Sequence, residues 1–175
     1  MNTANKLTML RVALIPVFLI LLYLRFPFHM YFALTVFILA SVTDFVDGYI
    51  ARHYNQVTDF GKFMDPLADK VLVMAALLWF VEAGRLPAWV LLVVIVREFA
   101  VTALRLIAVE RSRVIAAAWS GKIKTGCTMV GLGAMMLFPT LNLVNIIFTV
   151  LILATTVYSG AEYFYVNRDV FKDID

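Results

Sequence analysis

A chain of 175 residues is long enough for a single domain, and 63% of it is hydrophobic against 15% charged. With a mean hydropathy of +0.90, it carries more apolar surface than a soluble domain of this size can bury, so the composition points to an integral membrane protein. The net charge of +3 is spread among apolar segments, which leaves no basic patch for nucleic acid, and the lone Cys127 excludes an internal disulfide.

Six segments reach the roughly 20 residues that a membrane-spanning helix requires. They lie near Asn5–Leu24, Met30–Arg52, Gly61–Ala83, Pro87–Arg111, Ser120–Phe138 and Leu141–Tyr165. The breaks between them carry Pro27, the polar run from His53, Gly84 with Pro87, the stretch after Ser112, and Pro139 with Asn142. The expected fold is therefore all-α, a polytopic membrane protein with a bundle of six transmembrane helices forming one domain over residues 1–175. The first span has no small-x-small cleavage site and reads as an uncleaved anchor.

An even number of spans puts both termini on one side. That side collects Lys6, Arg52, Lys62, Arg111, Arg113, Lys122, Lys124, Arg168 and Lys172, against Arg25 and Arg85 on the other. Lysine and arginine favour the cytoplasm, so the expected location is the cytoplasmic membrane with both termini inside. Tyr23, Tyr31, Trp79 and Trp89 at the outer ends, and Tyr54, Trp119 and Tyr163 at the inner ends, read as aromatic belts. Gly126, Gly131, Gly133 and Ala134 read as sites of close helix packing. The tail Asn167–Asp175 is short, mixed in charge and expected to fray.

The informative stretch is Val42 to Val71, which holds five aspartates between apolar runs. Asp44 and Asp47 are spaced i,i+3, and Asp65 and Asp69 i,i+4, so each pair occupies one helical face. Carboxylates near membrane depth are costly, and four converging ones repel unless cations lie between them. With no nearby His or Cys, they form a hard oxygen donor set suited to two divalent cations, Mg²⁺ or Mn²⁺. Buried ion pairs with Lys62, Lys70, Arg52 or Arg97 are the competing explanation. Gly48 and Ala51 remove bulk beside the first pair, and Arg52 is placed to meet a phosphate. Pro66 fits a first helical turn, so its helix is expected to begin shortly before Asp65.

The run Asp44-x-x-Asp47-Gly48-x-x-Ala51-Arg52, eight residues, then Gly61-x-x-x-Asp65-x-x-x-Asp69 resembles the signature of the CDP-alcohol phosphatidyltransferase family, with every position filled. The resemblance implies six transmembrane helices, a cytoplasm-facing site and homodimers. It implies a reaction in which an alcohol hydroxyl attacks the β-phosphorus of a CDP-linked lipid and CMP leaves. Asp44, Asp47 and Asp65 would hold the metals, while Asp69 would be both a metal neighbour and the catalytic base. Gly48, Ala51, Arg52 and Gly61 would line the cytidine-diphosphate pocket.

Three further groups resemble the bacterial phosphatidylglycerophosphate-forming branch of that family. They are Asn5-x-x-Thr8-x-x-Arg11, the fourth-span Arg97-Glu98 with Arg105, and Gly121-Lys122-Ile-Lys124-Thr125. Asn5 and Thr8 are assigned to the CDP-lipid, and Arg11, Arg105, Lys122, Lys124 and Thr125 to the phosphate of the acceptor. Arg97 and Glu98, being adjacent, are not expected to share a face. The expected substrates are CDP-diacylglycerol and glycerol 3-phosphate, in contact with membrane lipids. Inositol phosphate, serine or phosphatidylglycerol as acceptor, or a cation channel or transporter with an acidic site, are the alternatives.

Overall fold

The computed structural model describes residues 3–24, 26–53, 58–110, 115, 116 and 118–171. They form six long helices: α1 (Thr3–Tyr23), α2 (His29–His53), α3 (Asp59–Glu82), α4 (Ala88–Glu110), α5 (Trp119–Leu137) and α6 (Asn142–Val166). A short 3-10 turn, Arg168–Phe171, follows, and the described residues include no strand. The six expected segments and the six helices coincide to within a few residues. The chain is an all-α membrane protein; Asn5–Tyr23 and Asn142–Val166 are each long and apolar enough to cross a bilayer.

The connections follow local backbone chemistry. Gly84 between α3 and α4 has φ +68°, which glycine adopts without a Cβ penalty. Phe28 before α2 has φ +67°, a conformation costly for a bulky residue. One boundary departs from expectation. The third helix begins at Asp59, so Pro66 lies inside it, about two turns from its start, rather than in its first turn. Thr58 sets that start: its Oγ1 accepts the Gly61 backbone N–H at 3.1 Å, the bond of a helix N-cap.

By their contacts the residues fall into two compact units, Met1–Phe80 with Gly133–Thr140, and Val81–Leu132 with Leu141–Asp175. In the first unit, α1 packs on α2. Thr8, Arg11, Ile15, Phe18 and Leu22 are all buried on α1, as are Met30, Ala33, Phe37 and Ala40 on α2. Both sets follow alternating steps of three and four, the seam of two helices packed along their length. Phe18 and Phe37 meet across it, with ring centroids 5.7 Å apart. The α2 seam continues to Asp44, and the α1 seam begins with Thr8 and Arg11. Each stripe is thus apolar along most of its length and polar at one end.

The second unit repeats this pattern. On α4 the buried stripe runs Val90, Val94, Val101, Leu104, Ala108, with the half-buried Arg97 at the step between Val94 and Val101, and on α6 Ile152, Thr156, Ser159, Tyr163. Val101, Leu104, Ala108, Tyr163 and Val170 form one buried cluster. Two expectations are corrected here. Tyr163 is not a belt residue, because at 2% exposure it belongs to this core. Nor does the tail fray at once: the 3-10 turn buries Val170 against α4 and α6, while residues 172–175 lie outside the described set. Of the small residues expected at helix contacts, Gly131 is the one the packing demands, since a Cβ there would stand 3.1 Å from Phe148 Cδ1 and 3.3 Å from Ile152 Cδ1. A Cβ at Gly126 would meet nothing within 4 Å, so no packing constraint explains that glycine.

Candidate active site

The polar end of the first unit is organised by α1. Arg11, with a fully buried side chain, places Nη1 2.6 Å from Oδ1 of Asp44, whose side chain is 38% exposed. One turn earlier, Thr8 Oγ1 donates to Oδ1 of Asp65 at 2.7 Å. One turn earlier again, Asn5 Oδ1 accepts a hydrogen bond from Thr58 Oγ1 at 2.8 Å. The three residues follow steps of three, so they rise along one side of α1. Through them α1 holds the aspartate end of α2, Asp65 of α3 and the cap of α3.

Of the residues assigned from sequence to substrate, Thr8 and Arg11 therefore contact the acidic signature itself, and Asn5 contacts Thr58 at the cap of α3. Thr58 was not singled out from sequence, yet it joins α1 to α3. The available signal was a Thr-Asp pair before an apolar helix, a usual N-cap pattern. Gly48 lies on α2 one turn beyond Asp44, and Asp69 on α3 one turn beyond Asp65, half-buried. The side chains of Asp47, Ala51 and Arg52 lie outside the described residues.

Among the described residues, no three His, Cys, Asp or Glu side chains converge closely enough to enclose a metal ion. The donor chemistry nonetheless fits a hard divalent cation, because Asp44, Asp65 and Asp69 offer only oxygen. Gly61 supports this fit. A Cβ there would stand 3.5 Å from Asp65 Oδ2, 3.5 Å from Asn5 Oδ1 and 3.3 Å from Thr58 Oγ1. The glycine keeps a space bounded by oxygen atoms clear of side chain.

The second unit sorts the cations assigned to an acceptor phosphate. Lys124, 5% exposed, places Nζ 2.7 Å from Glu98 Oε1. The same carboxylate oxygen lies 2.9 Å from Nη1 of Arg97, whose Nη2 donates to Ser159 Oγ at 2.6 Å. Arg97 and Glu98 thus do meet, contrary to expectation; the long guanidinium arm folds back although the two Cβ atoms diverge. Thr125 Oγ1 donates to the Gly121 carbonyl of its own helix at 3.1 Å. Lys122 is exposed, its Nζ 4.8 Å from the Trp119 ring centroid. Arg105 is exposed as well, and its Nη2 donates to Tyr163 Oη at 2.5 Å. Arg97, Glu98, Ser159 and Tyr163 form a polar core that sequence reasoning did not assemble; its signal was the three-four spacing that places Ser159 and Tyr163 on the buried stripe of α6.

An all-helical membrane protein with an oxygen-rich acidic end and a buried, cation-rich polar core matches an established family. Residues 1–158 fit the model of the CDP-alcohol phosphatidyltransferases, and the chain belongs to that family. It is similar to a CDP-diacylglycerol–glycerol-3-phosphate 3-phosphatidyltransferase of Bacillus subtilis, 44% identical over 98% of this chain and 97% of the relative. A protein of the same name from Haemophilus influenzae is 37% identical over 98% of this chain and 96% of its own length. A probable phosphatidylglycerophosphate synthase of Mycobacterium tuberculosis is 40% identical over 93% of this chain and 79% of the relative.

Proposed function

We propose that the whole chain is one phosphatidyltransferase domain that moves a phosphatidyl group from CDP-diacylglycerol to glycerol 3-phosphate, giving phosphatidylglycerophosphate and CMP. The observation that carries this reading is the near full-length similarity to relatives named for that reaction, together with the complete aspartate signature on α2 and α3.

In this reading the glycerol hydroxyl attacks the β-phosphorus of the CDP-lipid. A new P–O bond forms, the bond to CMP breaks, and Asp69 accepts the hydroxyl proton. Asp44, Asp47, Asp65 and Asp69 would hold two divalent cations, Mg²⁺ or Mn²⁺, which supply charge neutralisation of the pyrophosphate. Gly48, Ala51, Arg52 and Gly61 admit the cytidine diphosphate, Thr8 and Arg11 hold the carboxylates of Asp65 and Asp44 in place, and Asn5 ties α1 to Thr58 beside them. Arg105 and Lys122 meet the phosphate of the acceptor, and Lys124 contributes charge while paired with Glu98. The protein works as a multi-pass homodimer in the cytoplasmic membrane, surrounded by lipid, with its termini and site facing the cytoplasm.

The test is CMP release by purified protein from CDP-diacylglycerol with Mg²⁺ or Mn²⁺ and a panel of alcohols. Release that depends on glycerol 3-phosphate is expected. Release with serine, an inositol phosphate or phosphatidylglycerol instead would overturn the acceptor assignment.

A further inference from the structure

The cations of the second unit differ in what holds them. Arg97 and Lys124 share the Glu98 carboxylate, so each already has a protein counter-charge beside it. Arg105 has no carboxylate partner among the described residues. Its guanidinium instead lies over the Tyr163 ring, 5.3 Å from the centroid, and donates through Nη2 to the Tyr163 hydroxyl.

The bonding around that hydroxyl is directional. Tyr163 Oη donates its one proton to the Ala116 carbonyl at 2.9 Å. Both lone pairs are then turned to donors, the Ala118 backbone N–H at 3.4 Å and Arg105 Nη2. A phenol has one donor and two acceptor positions, and all three are used. The hydroxyl is thus fixed as an acceptor toward Arg105, and it ties α4, α6 and the chain entering α5 to one atom. The ring is locked too: it is 2% exposed and packs with Val101, Leu104, Ala108 and Val170, and Arg97 approaches it at 5.8 Å.

An exposed arginine on a helix ordinarily samples many rotamers, and ordering it on ligand binding costs conformational entropy. Here one Nη2 hydrogen is held by Tyr163, which leaves the second Nη2 hydrogen to act with Nε–H or Nη1–H as a parallel pair along one edge of the planar fork. Two N–H groups in that geometry match two oxygens of a phosphate monoester.

We propose that Tyr163 is a positioning residue for the acceptor phosphate: its hydroxyl holds Arg105 so that the remaining edge of the guanidinium receives the phosphate of the acceptor alcohol. This rests on glycerol 3-phosphate being the acceptor. Tyr163 itself touches no substrate; it acts through Arg105.

The experiment is steady-state CMP release by the purified full chain, with each substrate varied, for wild type, Tyr163→Phe, Arg105→Ala and the double variant. Tyr163→Phe keeps the ring and removes the bond. The expected result is an apparent KM for glycerol 3-phosphate raised about tenfold, as loss of a charge-assisted hydrogen bond implies, with kcat and the KM for CDP-diacylglycerol within twofold of wild type. In the Arg105→Ala background, Tyr163→Phe adds nothing further. An unchanged KM for glycerol 3-phosphate, a parallel loss in kcat and both KM values, or an additive double variant overturns the role. Should Tyr163→Phe not yield folded protein, Arg105→Lys carries the test. It keeps the charge but cannot both bond Tyr163 and present a fork, so the same selective rise is expected, and wild-type KM overturns the proposal. A wild-type protein indifferent to glycerol 3-phosphate overturns the acceptor reading and this role with it, whereas an active wild type with a silent Tyr163→Phe change removes Tyr163 alone.

Discussion

Arg11 and Asp44 form an ion pair at 2.6 Å in which the guanidinium is fully buried and the carboxylate partly open. Both lie at the polar ends of otherwise apolar stripes, so the packing of α1 on α2 brings them together. Removing either partner leaves a charge poorly solvated, and breaking a buried pair costs about 3–5 kcal/mol, less where one partner is open to solvent. Arg11→Ala and Asp44→Ala should each lower unfolding stability in detergent. Their double-mutant cycle should give a coupling of about 1 kcal/mol or more; additive losses would mean the pair is not a unit.

Asp69 lies one helical turn past Asp65 on α3 and is proposed as the base. Asp69→Asn preserves size and should retain helical content and thermal stability, while CMP release falls below about a tenth of wild type, since general-base catalysis is worth some 10²–10⁴-fold. A variant retaining more than that would remove Asp69 from the role.

Metal removal should silence the enzyme reversibly. Chelation is expected to abolish CMP release, with Mg²⁺ or Mn²⁺ restoring it, because an all-oxygen donor set suits hard cations. Asp47→Ala should shift the metal titration to higher concentration; an unshifted curve would exclude Asp47 as a ligand.

Gly61 tests whether the space beside Asp65 is used. A methyl there would press on Thr58 Oγ1 at 3.3 Å and come into contact with Asn5 Oδ1 and Asp65 Oδ2 at 3.5 Å, filling the space beside the carboxylate. Gly61→Ala should reduce turnover by about tenfold or more, as small displacements at a reacting centre do, with little change in unfolding temperature. Thr58→Val should show the reverse balance, losing about 1 kcal/mol of stability with its cap. Equal losses in both variants would assign Gly61 to structure alone.

Glu98 answers two buried cations. Glu98→Gln should destabilise the protein by about 3 kcal/mol, because Arg97 and Lys124 then lack a counter-charge. Adding Lys124→Met in that background should recover part of the loss. A Glu98→Gln protein as stable as wild type would show that the carboxylate is not what holds the cluster.

Much of this was legible in the chain. Apolar runs of spanning length, broken at Pro27, the polar run from His53, Gly84, the stretch after Ser112 and Pro139, placed all six helices, because helix formation in lipid depends on local composition and on satisfying backbone hydrogen bonds within the segment. The start of α3 was misread, since Pro66 is a strong local signal and the Thr58 cap a weak one. Tyr163 was misread for a different reason. An aromatic residue near a helix end looks the same whether it faces lipid or a neighbouring helix.

By itself the sequence determined the class of protein, the helices and the acidic signature, all of which depend on residue type and short-range spacing. Only the tertiary structure decided the partners: Arg11 on Asp44, Thr8 on Asp65, Lys124 on Glu98 and Arg105 on Tyr163. Each of these joins residues on different helices. Which cation meets which carboxylate depends on helix rotation and register, and those are set by how the apolar stripes interlock along their whole length.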